Sequence, residues 1–226
     1  MILAASADSA LADAAGVARV RRIADAAWAG GAMPIIVVAE DPDGKVAAAL
    51  AGAPVTLAAP APVDGGPVAQ IARGVDLANA EISGTAAAMV WPARLCWAGP
   101  ETVTSLIEAH GMDPDSLLRP AYGDAAGWPA LLPVAALPAL RALVHTAMPD
   151  ELLALLVAGG ALKLRTLDLG DPGTVIDGET ARDDLPPYDG PAATPGAHAH
   201  EWGSAAAATP EDAPLVGPSI AGAEPS

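Results

Sequence analysis

The feature that most constrains the fold is the alternation of short apolar runs with stretches of helical periodicity along residues 1–185. Residues 34–39 (PIIVVA) form a β-branched run, which is typical of a strand buried on both faces. Residues 16–30 carry apolar side chains at helical spacing and end in two glycines, a common helix stop. This alternation predicts an α/β fold: a three-layer, mostly parallel, Rossmann-like sheet with helices on both faces.

The same criteria place the individual elements. We expect strands at residues 1–5, 34–39, 55–58, 85–91, 117–122, 130–133, 162–169 and 174–177. We expect helices at residues 16–30, 45–50, 68–80, 100–110, 137–144 and 150–158. Residues 6–13 are small and acidic and are expected to form a loop after the first strand.

Composition limits the kind of core and the kind of site. Apolar residues make up 52% of the 226-residue chain, but aromatic residues make up only 3% and Phe is absent. The core must therefore consist mainly of Ala, Val, Leu and Ile side chains, which suits helices packed closely on a sheet. The single cysteine, Cys96, excludes both an intramolecular disulfide and a metal site made of cysteines alone.

The charge of the chain limits its partners. The formal net charge is −16, and Lys45 and Lys163 are the only lysines. General binding to nucleic acid or to an anionic membrane needs clustered basic residues, so neither partner is expected. No apolar stretch reaches the roughly 18 residues that a membrane helix needs, and the apolar start ends at Asp8 without a preceding basic segment. We therefore expect a cytoplasmic protein.

The composition changes after about residue 185. Residues 186–226 contain no Lys or Arg and are rich in Pro, Gly, Ala and Ser. Such a segment cannot bury enough apolar surface to order itself, so we expect a folded domain at residues 1–185 and an acidic tail at 186–226 that is disordered or ordered by a protein partner. His198, His200 and Glu201 could ligate a metal, although an incidental polar segment is the favoured interpretation.

Residues 123–129 (GDAAGWP) cannot form a helix, because prolines stand before, within and after this stretch. The stretch predicts a strand end, a tight turn at Gly123-Asp124 and an extended return. A surface hairpin with Trp128 buried is the favoured interpretation, and a functional loop is the alternative. Ligands of parallel sheets bind outside the carboxyl ends of the strands. The loops after Ala5, after Trp91 and at residues 123–129 are therefore candidates for one crevice.

Six segments, taken together, resemble the MobA-like nucleotidyltransferases, especially the MocA-type molybdenum cofactor cytidylyltransferases. The resemblance spans residues 1–185 and implies that the α/β fold is of the nucleotidyltransferase type. Three later segments carry most of it. They are residues 85–103 (TAAAMVWPARLCWAGPETV), residues 119–132 (RPAYGDAAGWPALL) and residues 175–185 (VIDGETARDDL). The supporting segments are residues 1–12 (MILAASADSALA), residues 16–38 (GVARVRRIADAAWAGGAMPIIVV) and residues 64–75 (DGGPVAQIARGV).

The resemblance implies the attack of a phosphate oxygen on the α-phosphate of a nucleoside triphosphate, with loss of pyrophosphate and help from Mg²⁺. It also implies a set of nucleotide-binding positions after the first strand, in the glycine pair within residues 64–75 and in the hairpin at residues 123–129. These positions are Ala4, Ala5, Ser6, Gly65, Gly66, Gly127, Trp128 and Pro129.

The chain departs from the family pattern where charge is needed. Ser6 stands where the family has a phosphate-loop glycine, and no basic residue precedes Arg19. Arg94 stands at the position of the family's metal-binding aspartate, and Trp128 stands at the position of a histidine. Arg94 could contact a phosphate directly.

Other residues could replace what is missing. Asp177 and Glu179 remain as candidate Mg²⁺ ligands, and a turn-capping role for Asp177 is equally plausible. The three arginines at positions 19, 21 and 22 could compensate for the lost loop cations. A solvated helix face is the favoured interpretation of these arginines.

Three functions follow from this pattern of retained and lost residues. The favoured one is a catalytically silent family member that holds a nucleotide, or a partner of a molybdenum-cofactor-related system, through the crevice and the acidic tail. The second is an active transferase, such as a pterin cofactor cytidylyltransferase, that uses Mg²⁺ and a nucleoside triphosphate. The third is a structural subunit whose tail, with Tyr188 and Trp202, wraps a larger complex.

Overall fold

The computed structural model describes residues 1–190, and its elements follow the expected alternation. The strands are β1 (Ile2–Leu3), β2 (Ile35–Val38), β3 (Val55–Ala58), β4 (Ala87–Pro92), β5 (Ser116–Tyr122), β6 (Ala125–Ala126), β7 (Ala130–Pro133) and β8 (Lys163–Asp168). The helices are α1 (Ala7–Leu11), α2 (Arg19–Ala29), α3 (Lys45–Ala49), α4 (Gly66–Glu81), α5 (Pro100–Met112), α6 (Leu137–Arg141) and α7 (Pro149–Ala158). The interpretations of His198, His200, Glu201, Trp202 and the tail around them lie outside the described residues.

The strands form one sheet in the order β3-β2-β1-β4-β7-β5-β6, with β8 paired to β5. β1 lies parallel between β2 and β4, so that Ile2 is opposite Val37 on one side and Trp91 on the other. β3 is parallel to β2 and β8 is parallel to β5, whereas β7 runs antiparallel to both β4 and β5. The expected α/β fold with a mostly parallel sheet is therefore confirmed.

Side chains of β4 show why helices cover both faces of the sheet. Successive residues of a strand point to opposite faces. Met89 and Trp91 join a buried cluster that includes residues of α2, α3 and α5, while Ala88 and Val90 join a second cluster with residues of α4, α6 and α7. A strand that buries both faces carries a continuous apolar run, as residues 87–91 do.

The structure corrects two expectations about local structure. The expected loop at residues 6–13 contains the short helix α1, because the Ser6 hydroxyl accepts a hydrogen bond from the Ser9 amide at 3.1 Å and caps the first turn. The expected strand at residues 174–177 is not a strand. The Asp171 carboxylate instead accepts a hydrogen bond from the Gly173 amide at 2.9 Å and starts the helical turn Pro172–Thr174.

The compact body extends a few residues beyond the expected boundary. Residues 186–190, which the sequence assigned to the tail, continue along this body, and the Asp189 amide donates a hydrogen bond to the Gly170 carbonyl at 3.0 Å. Among residues 1–190, every helix falls short of the length and hydropathy needed to cross a membrane.

Candidate functional site

A cavity of about 560 Å³ opens at the carboxyl ends of β1, β2 and β4. The loop after β1 contributes Ala4 and Ala5, and the loop after β4 contributes Ala93 and Arg94. The other lining residues come from the ends of β1, β2 and β4, from α1, from the loop before α4 and its first turns, and from the start of α7. They are Leu3, Ser9, Val38, Glu40, Pro60, Ala61, Pro62, Val63, Gly66, Pro67, Gln70, Pro92, Met148, Pro149 and Asp150. Two of the three loops expected at one crevice therefore meet here, and residues 123–129 do not line it.

The loop after β1 brings no cation to the cavity. The Ser6 hydroxyl caps α1 and does not line the cavity. Helix α1 has only five residues, and its first turn carries Asp8 rather than a basic side chain. This edge of the cavity therefore offers small side chains and backbone, without the positive charge that phosphates need.

Arg94 is the cationic side chain of the cavity lining, and two carboxylates already hold it. Its Nη1 lies 3.2 Å from Asp177 Oδ2, and its Nη2 lies 3.9 Å from Asp150 Oδ2. The turn that carries Asp177 is also fixed through the backbone, because the Gly178 amide donates to the Arg94 carbonyl at 2.7 Å. The guanidinium thus lies where the resemblance expects a metal-binding carboxylate.

The other expected metal ligand, Glu179, is also paired with an arginine. Arg19 Nη2 donates to Glu179 Oε1 at 2.6 Å, and only 6% of the Arg19 side chain is exposed. The expected solvated helix face is therefore wrong for Arg19, because the turn at Gly178 packs directly against its guanidinium. Arg21 forms an exposed ion pair within α2, and Arg22 lies over an indole ring. None of the three lines the cavity.

These pairings do not fit a metal ion. Mg²⁺ prefers oxygen ligands and no adjacent cation. At this position Asp177 and Asp150 flank a guanidinium, and Glu179 belongs to a separate ion pair. Within residues 1–190, no group of three or more His, Cys, Asp or Glu side chains is arranged to hold a metal.

The hairpin at residues 123–129 lies outside the cavity lining and contacts the lining residue Asp150 through Trp128. Trp128 is 2% exposed, and Arg119 covers its ring at 4.8 Å from the centroid. The Trp128 indole Nε1 donates to Asp150 Oδ1 at 3.2 Å, and Arg119 Nη2 donates to the same oxygen at 2.8 Å. Gly127 is buried where a Cβ atom would lie 2.6 Å from the Thr174 carbonyl oxygen. The favoured interpretation, a hairpin with a buried Trp, is confirmed.

The Trp128 ring is buried and is not part of the cavity lining. Gly127, Trp128 and Pro129 are all buried and lie outside the cavity lining. Trp128 contacts the lining residue Asp150 through its indole nitrogen. Nucleotide binding by Gly127, Trp128 and Pro129 stays a prediction.

The glycine pair at the start of α4 lines two different cavities, one through each glycine. Gly66 lines the crevice with a φ of 57°, and its α-carbon packs against the backbone of His145, so a side chain would not fit there. Gly65 instead lines a neighbouring cavity. The Gln70 side chain fixes this loop, since it accepts from the Ala61 amide at 2.8 Å and donates to the Ala61 carbonyl at 2.9 Å.

Sequence reasoning missed two residues of the site. In the sequence, Asp150 stands at the start of an expected helix, and Arg119 is the first residue of the segment 119–132 that carries the resemblance. One signal for Arg119 was available: it is the only charged residue of the buried strand β5. Asp150 gave no such signal, because an acidic residue in the first turn of a helix has a local explanation.

Cys96 follows the β4 loop of the cavity, but its side chain is buried and does not reach solvent. Burial raises the pKa of the Cys96 thiol, and the opposing effect of Arg19 is smaller. The thiol packs against Gly178, where a Cβ atom would lie 2.8 Å from the sulfur. The sulfur is therefore held as a buried thiol rather than as a reactive thiolate.

Comparisons with solved structures support the fold. A nucleotidyl transferase from Methanothermobacter matches with 19% identity and a TM-score of 0.58, over 74% of this chain and 85% of that chain. A Mycobacterium tuberculosis protein solved in complex with manganese matches with 20% identity and a TM-score of 0.55, over 74% of this chain and 85% of that chain. The 2-C-methyl-D-erythritol 4-phosphate cytidylyltransferase from Thermus thermophilus matches with 15% identity and a TM-score of 0.55, over 81% and 94%.

The family comparison covers most of the described body. No curated protein matches the sequence significantly. The model of the MobA-like NTP transferase domain matches residues 5–161, which includes the cavity loops after β1 and β4, the glycine pair, the hairpin and Asp150. Together with the α/β sheet and the crevice at its strand ends, this match shows that the chain belongs to the MobA-like NTP transferase family.

Proposed function

We propose that this chain binds a nucleotide in its crevice without transferring it, and that it acts as a binding or assembly protein in a molybdenum-cofactor-related system. The nucleotide is suggested by family membership and by the position of the cavity at the strand ends. The molybdenum-cofactor context rests on the resemblance of residues 119–132 to the MocA-type sequence.

The ion pair between Arg94 and Asp177 carries the proposal. Transfer of a nucleotidyl group is mainly positioning plus neutralisation of phosphate charge, usually by metal ions and basic side chains. Here a guanidinium stands at the implied metal position, and it is 3.2 Å from the carboxylate that would be a ligand. A metal at that point would meet a positive charge, so no step of a metal-assisted transfer is available through these residues.

The remaining charges of the crevice do not replace the metal. Its lining contains Arg94 as the cationic side chain, together with Glu40 and Asp150. Arg19 is buried in a separate pair with Glu179, and the loop after β1 has no basic residue. A site with this balance can bind part of a nucleotide through shape and apolar contact, but it lacks the positive charge that stabilises a transferring phosphoryl group.

Calorimetry combined with a pyrophosphate assay tests both parts of the proposal. The full chain is titrated with CTP, GTP and ATP, with and without Mg²⁺, and is then incubated with each nucleotide and molybdopterin. We expect measurable binding of at least one nucleotide at millimolar concentration or below, and no pyrophosphate above the background without protein. Absence of binding heat for all three nucleotides would remove the ligand part. Release of pyrophosphate that Asp177→Ala abolishes would establish an active transferase instead.

A matched pair of variants locates the binding. Ala5 is exposed and lines the crevice, whereas Ala125 is exposed in the hairpin and does not line it. We expect Ala5→Trp to fill the crevice and abolish the binding heat, and Ala125→Trp to leave it unchanged. Equal effects of the two variants would place the nucleotide elsewhere.

A further inference from the structure

The charged residues in and next to the crevice carry more negative than positive charge. Glu40, Arg94 and Asp150 line it, and Asp177 pairs with Arg94 at 3.2 Å. Arg119, outside the lining, pairs with Asp150 at 2.8 Å, so three carboxylates accompany two guanidinium groups. A site for polyphosphates normally presents the opposite balance, with basic side chains and a metal around the phosphate groups.

The two carboxylates beside Arg94 are held in place. Asp150 accepts hydrogen bonds from Arg119 Nη2 at 2.8 Å and from Trp128 Nε1 at 3.2 Å, and both donors belong to buried residues. Asp177 accepts a hydrogen bond from the Glu179 amide at 3.1 Å within its own turn. An anion that reaches the Arg94 guanidinium therefore approaches two hydrogen-bonded carboxylates, and Arg119 offsets part of the negative charge of Asp150.

The rest of the lining is apolar and suits an uncharged ring. Most of the remaining side chains are aliphatic or proline rings: Leu3, Val38, Pro60, Pro62, Val63, Pro67, Pro92, Met148 and Pro149. Apolar walls stabilise a ligand through the area that it buries.

We infer that the crevice selects a nucleoside or a nucleoside monophosphate over the corresponding diphosphate and triphosphate. This inference rests on the proposed function, since it specifies which nucleotides the same crevice accepts. Arg94 gives one contact to a single phosphate, while additional phosphates meet Asp150 and Asp177. The crevice should therefore prefer the monophosphate, whereas a site built to hold a triphosphate prefers the triphosphate.

Binding measurements across a phosphate series test the inference. Calorimetry is run with the full chain at constant ionic strength in the presence of EDTA, with the nucleoside and its mono-, di- and triphosphate for cytosine, guanine and adenine. A triphosphate carries about two more negative charges than a monophosphate near neutral pH. We expect the dissociation constant to rise at least about fivefold from monophosphate to triphosphate, since each repulsion acts at a half-exposed site.

The possible results separate this inference from the proposed function. A triphosphate that binds as tightly as the monophosphate, or more tightly, would overturn the inference and leave nucleotide binding intact. No binding by any member of the three series would overturn the proposed function itself. The preference should also shrink when the salt concentration is raised, because salt screens the repulsion between exposed charges.

Single substitutions connect the preference to the named carboxylates. We expect Asp177→Asn and Asp150→Asn each to improve triphosphate binding relative to monophosphate binding by about threefold or more. Asp76→Asn is the matched control, because Asp76 pairs with Arg141 away from the crevice. Preservation of the wild-type preference in both crevice variants would contradict the inference, even if one variant were poorly folded.

The contact between Arg94 and a single phosphate can be tested by comparing the binding of a nucleoside with that of its monophosphate. We expect Arg94→Gln to weaken binding of the monophosphate toward that of the nucleoside. Arg73→Gln is the control, since Arg73 lines a different cavity. An unchanged difference between nucleoside and monophosphate in Arg94→Gln would show that the phosphate does not contact this residue.

Discussion

Two arginine–aspartate pairs of similar length should differ strongly in their contribution to stability. Arg119 lies 2.8 Å from Asp150, and Arg141 lies 2.6 Å from Asp76. The Arg119 side chain is only 10% exposed, whereas the Arg141 side chain is 48% exposed. We expect replacement of Arg119 by Met to destabilise the fold much more than replacement of Arg141 by Met.

The expected magnitude follows from the bonds that Arg119 makes. Its Nε donates to the Gly127 carbonyl at 2.9 Å, its Nη2 donates to Asp150, and its guanidinium covers the Trp128 ring. Hydrogen bonds to charged groups contribute about 1.5–3 kcal/mol each, but the half-exposed Asp150 is partly solvated and Met keeps the apolar packing of the stem. The loss should be about 2–4 kcal/mol, against about 0–1 kcal/mol for the exposed Arg141 pair.

Urea unfolding followed by far-ultraviolet circular dichroism measures both variants without relying on Trp128 fluorescence. A shift of the midpoint at constant slope reports the change in the free energy of unfolding. In a thermal scan, the Arg119→Met variant should melt roughly 5–15 °C below the wild type. A difference of less than about 1 kcal/mol between the two variants would refute the reasoning that burial makes Arg119 the more important residue.

Three further substitutions test the packing around the site. Gly127→Ala should lower the free energy of unfolding by about 1–3 kcal/mol, because the new Cβ atom would lie 2.6 Å from the Thr174 carbonyl oxygen; Gly111→Ala, which meets no atom within 4 Å, is the urea-unfolding control. Asp171→Ala should cost about 2–4 kcal/mol in the same assay, since this buried carboxylate accepts three hydrogen bonds, including two from the start of α5. Burial raises the pKa of the Cys96 thiol, so the stability that the protonated thiol provides is present at neutral pH and should be lost as the pH rises through the raised value. Cys96→Ala should remove that alkaline component of the pH–stability curve, and an unchanged curve would contradict it.

Most of the helices and strands could be predicted from the sequence, because apolar runs and helical periodicity are local patterns. The helical spacing at residues 16–30 and the apolar run at residues 34–39 specify their own structure, and the alternation of such segments then favours a mostly parallel sheet. The hairpin at residues 123–129 was likewise predicted by its prolines and glycines, and the observed turn at Gly123 has a φ of 57°. These conclusions need no knowledge of distant contacts.

The details of the site depend on contacts that sequence spacing does not reveal. Arg19 and Glu179 are 160 residues apart, and only the folded chain shows that the buried Arg19 side chain forms an ion pair with the exposed Glu179. The same holds for Asp150, which receives its partners from β5 and from the hairpin. The expected loop at residues 6–13 was wrong for a local reason. Ser6 was counted as a loop residue, whereas its hydroxyl caps helix α1.

Titration with Mn²⁺, followed by the electron paramagnetic resonance signal of free Mn²⁺ in the presence of saturating nucleotide, tests the central claim most directly. Wild type and Asp177→Ala are compared, so that weak binding to the acidic surface is common to both. Because Arg94 occupies the implied metal position, we expect the two titrations to coincide. Retention of one additional tightly bound Mn²⁺ by the wild type, absent from Asp177→Ala, would contradict the claim that this crevice has lost its metal.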